Sequence, residues 1–178
     1  MQAASRHFRA KGGKGLAIGD LMQKLDLTHG GFYRHFGSKE ELFAEAVAKG
    51  FEEAAVRIEE AIKQAPAGSE VRTIIERYLS LKHCANPGDG CPLASLMSET
   101  ARYPRSLRTK IDLAMHEHFK RIIDFLPGAS EQERGRNCLI LFSGMAGALN
   151  VARAATETEQ RKAILEAAKE FYVKAFCD

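Results

Sequence analysis

Apolar residues recur at helical spacing along almost the whole chain. The clearest stripe runs Val71, Ile74, Ile75, Tyr78 and Leu79, the i, i+3, i+4, i+7, i+8 pattern of one buried helix face. No stretch shows the long apolar–polar alternation that is typical of a half-buried strand. The pattern therefore predicts an all-α protein of about nine helices.

Capping and breaking residues set the expected helix boundaries. A glycine-rich stretch at residues 11–15 ends the first helix. Ser38 with Glu41 and Ser130 with Glu133 read as capping boxes at helix starts. Proline favours the first position of a helix. The first predicted helix ends near residue 11, and a short second helix carries Ile18, Leu21, Met22 and Leu25 on one face. Of the middle helices, one runs from Val71 to the turn residues 86–90 and the next starts at Pro92. The other predicted helices are Thr28 to Phe36, Ser38 to Ile62, Pro104 to Leu126, Ser130 to Arg153, and 157–177.

Charge is distributed unevenly along the chain. Residues 1–39 hold seven Lys and Arg residues against two acids, whereas the net charge of the whole chain is only +3. A basic segment attached to a near-neutral body is typical of a polyanion-binding head. A basic surface that is merely solvated stays open as an alternative.

Composition predicts a cytoplasmic globular protein. Apolar residues make up 45% and charged residues 28% of the chain. There is no apolar run long enough to cross a membrane, and the start has no signal-peptide core. The four cysteines form no repeated C-x-x-C pairs, so we expect free thiols rather than a disulfide framework.

The segment from Ala17 to Phe43 contains the residues that indicate a function. Two short helices joined by a tight turn at Asp26-Leu27 fit a helix-turn-helix unit, whose second helix enters the major groove of DNA. Gly30 and Gly31 lie in the first turn of that second helix, where a backbone without side chains can approach DNA closely. Phe32 and Phe36, four residues apart, are expected to point inward, which leaves Tyr33, Arg34 and His35 outside. Lys39 falls in the first turn of the next helix, where the dipole also favours a phosphate.

The stretch Leu27-Thr28-His29-Gly30-Gly31-Phe32-Tyr33-Arg34-His35-Phe36, followed by Ser38-Lys39-Glu40-Glu41-Leu42-Phe43, closely resembles the signature of the TetR family of regulators. The resemblance implies a DNA-binding domain at residues 1–47 and a helical effector-binding and dimerisation domain at 48–178. It implies phosphate contacts from Thr28, Tyr33, His35 and Lys39, and base contacts from the segment His29, Gly30, Gly31 and Arg34. Members of the family usually have another turn or two before the segment that matches residues 3–8, so the sequence begins inside the first helix. We therefore expect either a start further upstream or weakened DNA binding.

The last two predicted helices are candidates for a dimer interface. The segment Asn137 to Ala155 is apolar nearly all round, as in a helix buried on several sides. Gly144, Gly147 and Ala148 would let another helix approach closely. The resemblance implies that the helices at about 130–155 and 157–177 pair with their copies in a homodimer. Packing within one monomer is the open alternative.

The resemblance places a ligand pocket among the middle helices. The candidate lining residues are Phe51, Tyr78, Met97, Met115, His118, Phe119, Phe142 and Met145. Residues of these types are more often part of a core than ligand contacts. Cys91 is a second candidate, because Pro92 at the first helix position would make Cys91 the cap, where the dipole stabilises a thiolate. We therefore consider Cys91 a redox or electrophile sensor, with Cys84 as its resolving partner, against the alternative of an inert cap.

No cofactor is expected. No metal is expected either, since the spacing of His83, Cys84 and Cys91 matches no standard zinc site. These observations predict a non-enzymatic repressor that binds operator DNA and is released by an unidentified small molecule or thiol-reactive effector. Two alternatives remain: a thiol-dependent redox enzyme, and a dimeric ligand-binding module without DNA binding.

Overall fold

The computed structural model describes residues 1–13, 19, 22–23 and 29–177, with only the backbone described for residues 29–31. Within these residues every regular element is helical, which confirms the all-α prediction. One-turn 3-10 helices occupy Pro87–Asp89 and Ile123–Phe125. The α-helices are α1 (Gln2–Lys11), α2 (His29–His35), α3 (Lys39–Lys63), α4 (Glu70–Tyr78), α5 (Leu81–Ala85), α6 (Leu93–Thr100), α7 (Arg105–Lys120), α8 (Glu131–Ala154) and α9 (Thr158–Phe176).

Both predicted capping boxes form. Ser38 Oγ accepts the Glu41 N–H at 3.0 Å, and the Glu41 carboxylate accepts the Gly37 N–H at 2.8 Å. Ser130 and Glu133 repeat the first bond at 3.2 Å. These bonds satisfy N–H groups that have no partner inside a helix, so they fix where α3 and α8 begin.

Two predicted helices are wrong in extent. The stripe from Val71 does not continue to residue 85, because α4 ends at Tyr78 and Ser80 starts a new helix by accepting the His83 N–H at 3.1 Å. The helix expected to reach Leu126 ends at Lys120, and the chain tightens into the 3-10 turn Ile123–Phe125. Of the predicted helix with Ile18, Leu21, Met22 and Leu25 on one face, Met22 is buried in an apolar core. Ile18, Leu21, Leu25 and the turn Asp26-Leu27 lie outside the described residues.

The chain forms two compact units, of which unit 1 comprises Met1–Glu53 and Pro87–His116. Its core is a continuous cluster of buried apolar side chains that includes Phe8, Phe32, Phe43 and Phe51. The rings of Phe8 and Phe43 pack edge to face with centroids 5.3 Å apart. Aromatic residues bury large apolar areas, so this cluster supplies most of the packing that holds α1, α2 and α3 together.

A buried arginine joins three parts of unit 1. Arg9 Nη2 lies 2.7 Å from the Glu53 carboxylate, and Arg9 Nε donates to the Gly88 carbonyl at 2.8 Å. The Ser5 hydroxyl donates to the Ala46 carbonyl at 2.6 Å beside it. A Cβ at Gly50 would lie 2.6 Å from Arg9 Nη1, so glycine at this position of α3 leaves room for the guanidinium.

Unit 2 comprises Ala54–Asn86 and Glu117–Asp178. In it α9 packs against α8, α4 and α5. A Cβ at Gly144 would lie 2.6 Å from Tyr172 Cζ, whereas a Cβ at Gly147 would meet nothing within 4 Å. Gly144 and Gly147 therefore differ: Gly144 makes room for a helix of its own chain, and Gly147 lies on an open face.

None of the helices in the part of the chain that the structure describes is long and apolar enough to cross a membrane.

We predict that Gly144→Ala destabilises the protein despite the better helix propensity of alanine. Propensity alone would contribute about 1 kcal/mol, but overlap with the Tyr172 ring costs on the order of 1–3 kcal/mol. Thermal unfolding followed by circular dichroism should show a lower Tm for this variant. In a Tyr172→Phe background, which removes the overlapping hydroxyl, the loss should shrink. An equal loss in both backgrounds would show that overlap with the Tyr172 hydroxyl is not what destabilises Gly144→Ala.

Candidate nucleic-acid interface

The inner face of α2 is anchored in the core of unit 1. Phe32 is 0% exposed and Phe36 packs, partly buried, against the same cluster. The centroids of the two rings are 5.7 Å apart. The inward orientation predicted for both phenylalanines is confirmed, and it fixes which face of this short helix remains outside.

The outer face of α2 carries polar side chains. Tyr33 is 50% exposed, and Arg34 and His35 are also exposed. The Tyr33 ring packs edge to face on Phe32 with centroids 5.1 Å apart. A hydroxyl, a guanidinium and an imidazole are thus presented from one helix of seven residues, and all three groups suit phosphate or base-edge contacts.

Lys39 is half-buried in the first turn of α3, immediately after the capping bonds at Gly37 and Ser38. Those bonds fix the direction of α3 relative to the end of α2, because they fall in the three-residue link between the two helices. Lys39 therefore follows the end of α2 after a link of only three residues.

Four further residues with predicted DNA contacts are described in part or not at all. The backbone of His29, Gly30 and Gly31 forms the first turn of α2, as expected for a close approach to DNA. Thr28 and the side chain of His29 lie outside the described residues. Their contacts with DNA stay predictions.

A second surface of interest lies on α8 and α9. Four large apolar side chains there are more than half exposed: Leu139, Ile140, Val151 and Phe171. Ile140, Gly147 and Val151 recur at spacings that place them along one face of α8. Exposed apolar side chains grouped in this way mark interaction surfaces more often than isolated ones do.

The predicted ligand candidates separate into two groups. In unit 2, Phe142 is fully buried and contacts the rings of Tyr78, His118 and Phe119 at centroid distances of 5.8, 5.9 and 5.4 Å. Met145 is also fully buried. These residues form an aromatic core, which supports the alternative that they serve packing.

In unit 1, Phe51 belongs to the core, whereas Met97 and Met115 line a cleft of about 440 Å³ between α6 and α7. The sequence did not identify the other residues of this cleft. They include Thr100, Arg105, Arg108, Ile111 and Asp112. The one available signal is that Arg105 and Arg108 follow Pro104 at the start of a helix without an acid in its first turn, against the usual preference.

The helix after Cys91 begins one residue later than predicted. Leu93 is the first residue of α6 and Pro92 occupies the cap position with helical dihedral angles, because the Pro92 carbonyl already accepts the Leu96 N–H at 2.8 Å. Cys91 is therefore not the cap, and its thiol is buried with 4% of the residue exposed. Cys84 is buried in unit 2, and all four cysteines are free thiols, as predicted. A sensing role for Cys91 stays a prediction that this geometry does not strengthen.

A polar contact that the sequence did not reveal holds the end of α1. The Glu99 carboxylate of α6 accepts the Gly13 N–H at 2.8 Å, and the Tyr103 ring stacks on Phe43 with centroids 4.7 Å apart. Burial, with help from the nearby Glu99 and Glu40 carboxylates, raises the pKa of Tyr103 to about 12. Gly13, which follows α1, is thus held by α6.

Among the described residues, no group of three or more His, Cys, Asp or Glu side chains is placed to hold a metal ion.

Comparison with known proteins identifies the N-terminal segment and the fold. Residues 1–46 match the family model described as bacterial regulatory proteins, tetR family. A search of curated protein sequences gives no match. Solved structures with similar folds include a TetR-family transcriptional regulator from Cytophaga hutchinsonii, with 18% identity, 97% of this chain and 90% of that chain covered, and a TM-score of 0.74. The regulatory protein TetR from Rhodobacter sphaeroides has 16% identity, 98% and 97% coverage, and a TM-score of 0.74. The reduced form of NemR from E. coli has 16% identity, 95% and 93% coverage, and a TM-score of 0.69.

We predict that His83 makes the stability of the fold depend on pH. Burial lowers the pKa of His83 to about 4, although its Nδ1 lies 2.8 Å from the Tyr78 carbonyl. In the unfolded chain the same group takes up a proton near pH 6.5. Because the unfolded state binds more protons between these values, stability falls as the pH is lowered through this window.

Urea unfolding should show a loss of about 2 kcal/mol between pH 7 and pH 5 from this group. His83→Gln should remove that part of the pH dependence, whereas His116→Gln, at an exposed position of α7, should leave it. An unchanged loss in His83→Gln would contradict the assignment.

Proposed function

Since the chain is a DNA-binding transcriptional regulator of the TetR family, we propose that it is a homodimeric repressor that reads operator DNA with α2 and the start of α3. Regulators of this family are generally not enzymes. The observation that carries the proposal is the division of α2 into two faces. Phe32 and Phe36 anchor one face in the core, and Tyr33, Arg34 and His35 occupy the other.

Each of these groups has a distinct proposed role. Tyr33, His35 and Lys39, together with Thr28, contact phosphates and set the orientation of the helix on the duplex. Arg34 and the segment from His29 to Gly31 approach base edges, where arginine pairs well with guanine. Phosphate contacts supply most of the affinity and base contacts supply the sequence preference.

The exposed apolar face of α8 and α9 supports a two-fold homodimer. Leu139, Ile140 and Val151 lie on α8 and Phe171 lies on α9, all more than half exposed. Pairing α8 and α9 with their copies would bury this face and present two α2 helices to a roughly palindromic operator. The open space at Gly147 allows a close approach of the second copy.

Release from DNA follows from a shift in population. An effector that binds a conformation with another spacing of the two α2 helices lowers DNA affinity by its coupling energy, commonly about 1–3 kcal/mol. Repression then results from occupation of the operator by the effector-free dimer.

We predict that substitutions of Lys39 and Tyr33 both weaken DNA binding but differ in how they change the salt dependence of the affinity. Lys39→Gln should weaken binding to DNA from beside the protein's own gene and reduce the slope of log K against log salt by about 2 for two copies, since each phosphate contact contributes about 0.9. Tyr33→Ala should weaken binding with little change in slope, because it removes no charge. Binding is measured by fluorescence anisotropy over a range of salt concentrations, against scrambled DNA.

Lys63→Gln serves as the control, because it removes the same charge from an exposed residue at the far end of α3. Its slope and affinity should equal those of the unaltered protein. Equal binding to specific and scrambled DNA at every salt concentration, or equal effects of Lys39→Gln and Lys63→Gln, would contradict the proposed interface.

We also predict that Val151→Glu with Phe171→Glu converts the dimer into a monomer, because four charges would be buried in the interface. Light scattering after size-exclusion chromatography measures the mass. Leu113→Glu is the matched control, since Leu113 is 64% exposed but lies on α7 in unit 1. A dimer that survives the double substitution would place the interface elsewhere.

A further inference from the structure

The cleft between α6 and α7 has the dimensions of a small-molecule site. Its volume is about 440 Å³, and protein clefts that hold small ligands usually measure about 300–1,000 Å³. All of its lining residues belong to unit 1. They are Met97, Thr100, Ala101, Arg105, Arg108, Thr109, Ile111, Asp112 and Met115.

The floor of the cleft is apolar. Ile111 is 2% exposed and belongs to the core of unit 1, and Met97 and Met115 pack against that core. These two half-buried side chains adapt readily to an apolar ligand, because methionine is unbranched and polarisable. The floor therefore favours an apolar body.

The rim of the cleft is positively charged. Arg105, Arg108 and Asp112 are exposed there, and α7 has no acidic residue in its first turn. None of the ion pairs found among the described residues involves either arginine. Two guanidinium groups next to the positive end of a helix dipole attract an anion. Asp112 is the one acidic residue among those that line the cleft.

We propose that this cleft binds an anionic amphiphile, a compound with one carboxylate, sulfonate or phosphate group attached to a small apolar body. The apolar body occupies the floor formed by Met97, Ile111 and Met115. The anionic group lies at the rim between Arg105 and Arg108. The further statement that this ligand is an effector rests on the proposed function.

The position of Glu99 gives occupancy of the cleft a route to the DNA-binding segment. Glu99 lies on α6 between the lining residues Met97 and Thr100, and its carboxylate accepts the Gly13 N–H at 2.8 Å. Gly13 lies a few residues before Ala17, where the predicted helix-turn-helix segment begins. A ligand that displaces α6 therefore alters the bond between Glu99 and Gly13.

Binding is tested with two fluorescent probes that share an aromatic body and differ in charge. The anionic probe is 8-anilinonaphthalene-1-sulfonate, and the neutral probe is N-phenyl-1-naphthylamine. The double substitution Arg105→Gln with Arg108→Gln should lower the affinity for the anionic probe by about tenfold or more, the value of one charge-assisted hydrogen bond. The affinity for the neutral probe should not change. Arg77→Gln with Lys82→Gln, which removes two charges from exposed residues of unit 2, should affect neither probe.

Ala101→Trp tests the location directly, because an indole on this exposed lining residue fills the cleft without disturbing the core. This variant should bind neither probe in the cleft. Unchanged binding of the anionic probe by Ala101→Trp, or equal weakening by the two double substitutions, would overturn the proposal.

A DNA-binding measurement distinguishes ligand binding in the cleft from an effect of that ligand on DNA affinity. Saturating anionic probe should lower the affinity of the unaltered protein for its specific DNA by about fivefold or more, and Ala101→Trp should abolish this effect. Cleft-dependent probe binding without any effect on DNA affinity would overturn the effector role. Cleft-dependent probe binding by a protein that shows no DNA preference would support the site and overturn the proposed function.

Discussion

The burial of Arg9 is the constraint on which the arrangement of unit 1 depends. A guanidinium inside a protein costs several kcal/mol unless it is paired and hydrogen-bonded. Arg9 meets this requirement only where the Glu53 carboxylate and the Gly88 carbonyl converge. These two partners lie in separate stretches of the chain, so α1, α3 and the turn Pro87–Asp89 must come together in one register. Gly50 permits this convergence, because any side chain there would meet the guanidinium.

That arrangement also positions α2, the helix that we propose binds DNA. A helix of seven residues with two glycines would not be stable alone in water. Its stability comes from Phe32, buried in the core that α1 and α3 complete, and from the capping bonds at Gly37 and Ser38 that join it to α3. The orientation of the outer face of α2, the proposed recognition face, therefore follows from packing on the opposite side of the helix. Glu99 adds one more connection, through Gly13, from α6 to the same part of the molecule.

Local signals in the sequence predicted local structure well. The Ser38 and Ser130 caps, the inward faces of Phe32 and Phe36, and most helix limits follow from interactions between residues three or four apart. The break at Ser80 was missed because the apolar stripe of α4 runs up to Leu79 without a proline or glycine. Features that need two distant elements were also missed. The Arg9–Glu53 pair, the Glu99–Gly13 bond and the arginine rim of the cleft depend on tertiary convergence, which no spacing along the chain encodes. Gly144 shows the same limit, because the sequence indicated a close helix approach but could not say that the approaching helix belongs to the same chain.

The central claim is that two copies of α2 read DNA from one dimer. Hydroxyl-radical footprinting of the unaltered protein on DNA from beside its own gene tests this claim most directly. We expect two protected segments on one face of the duplex, with centres about one helical turn or a whole multiple of a turn apart. A single protected segment, or uniform reactivity along the fragment at concentrations where the protein binds, would contradict the claim.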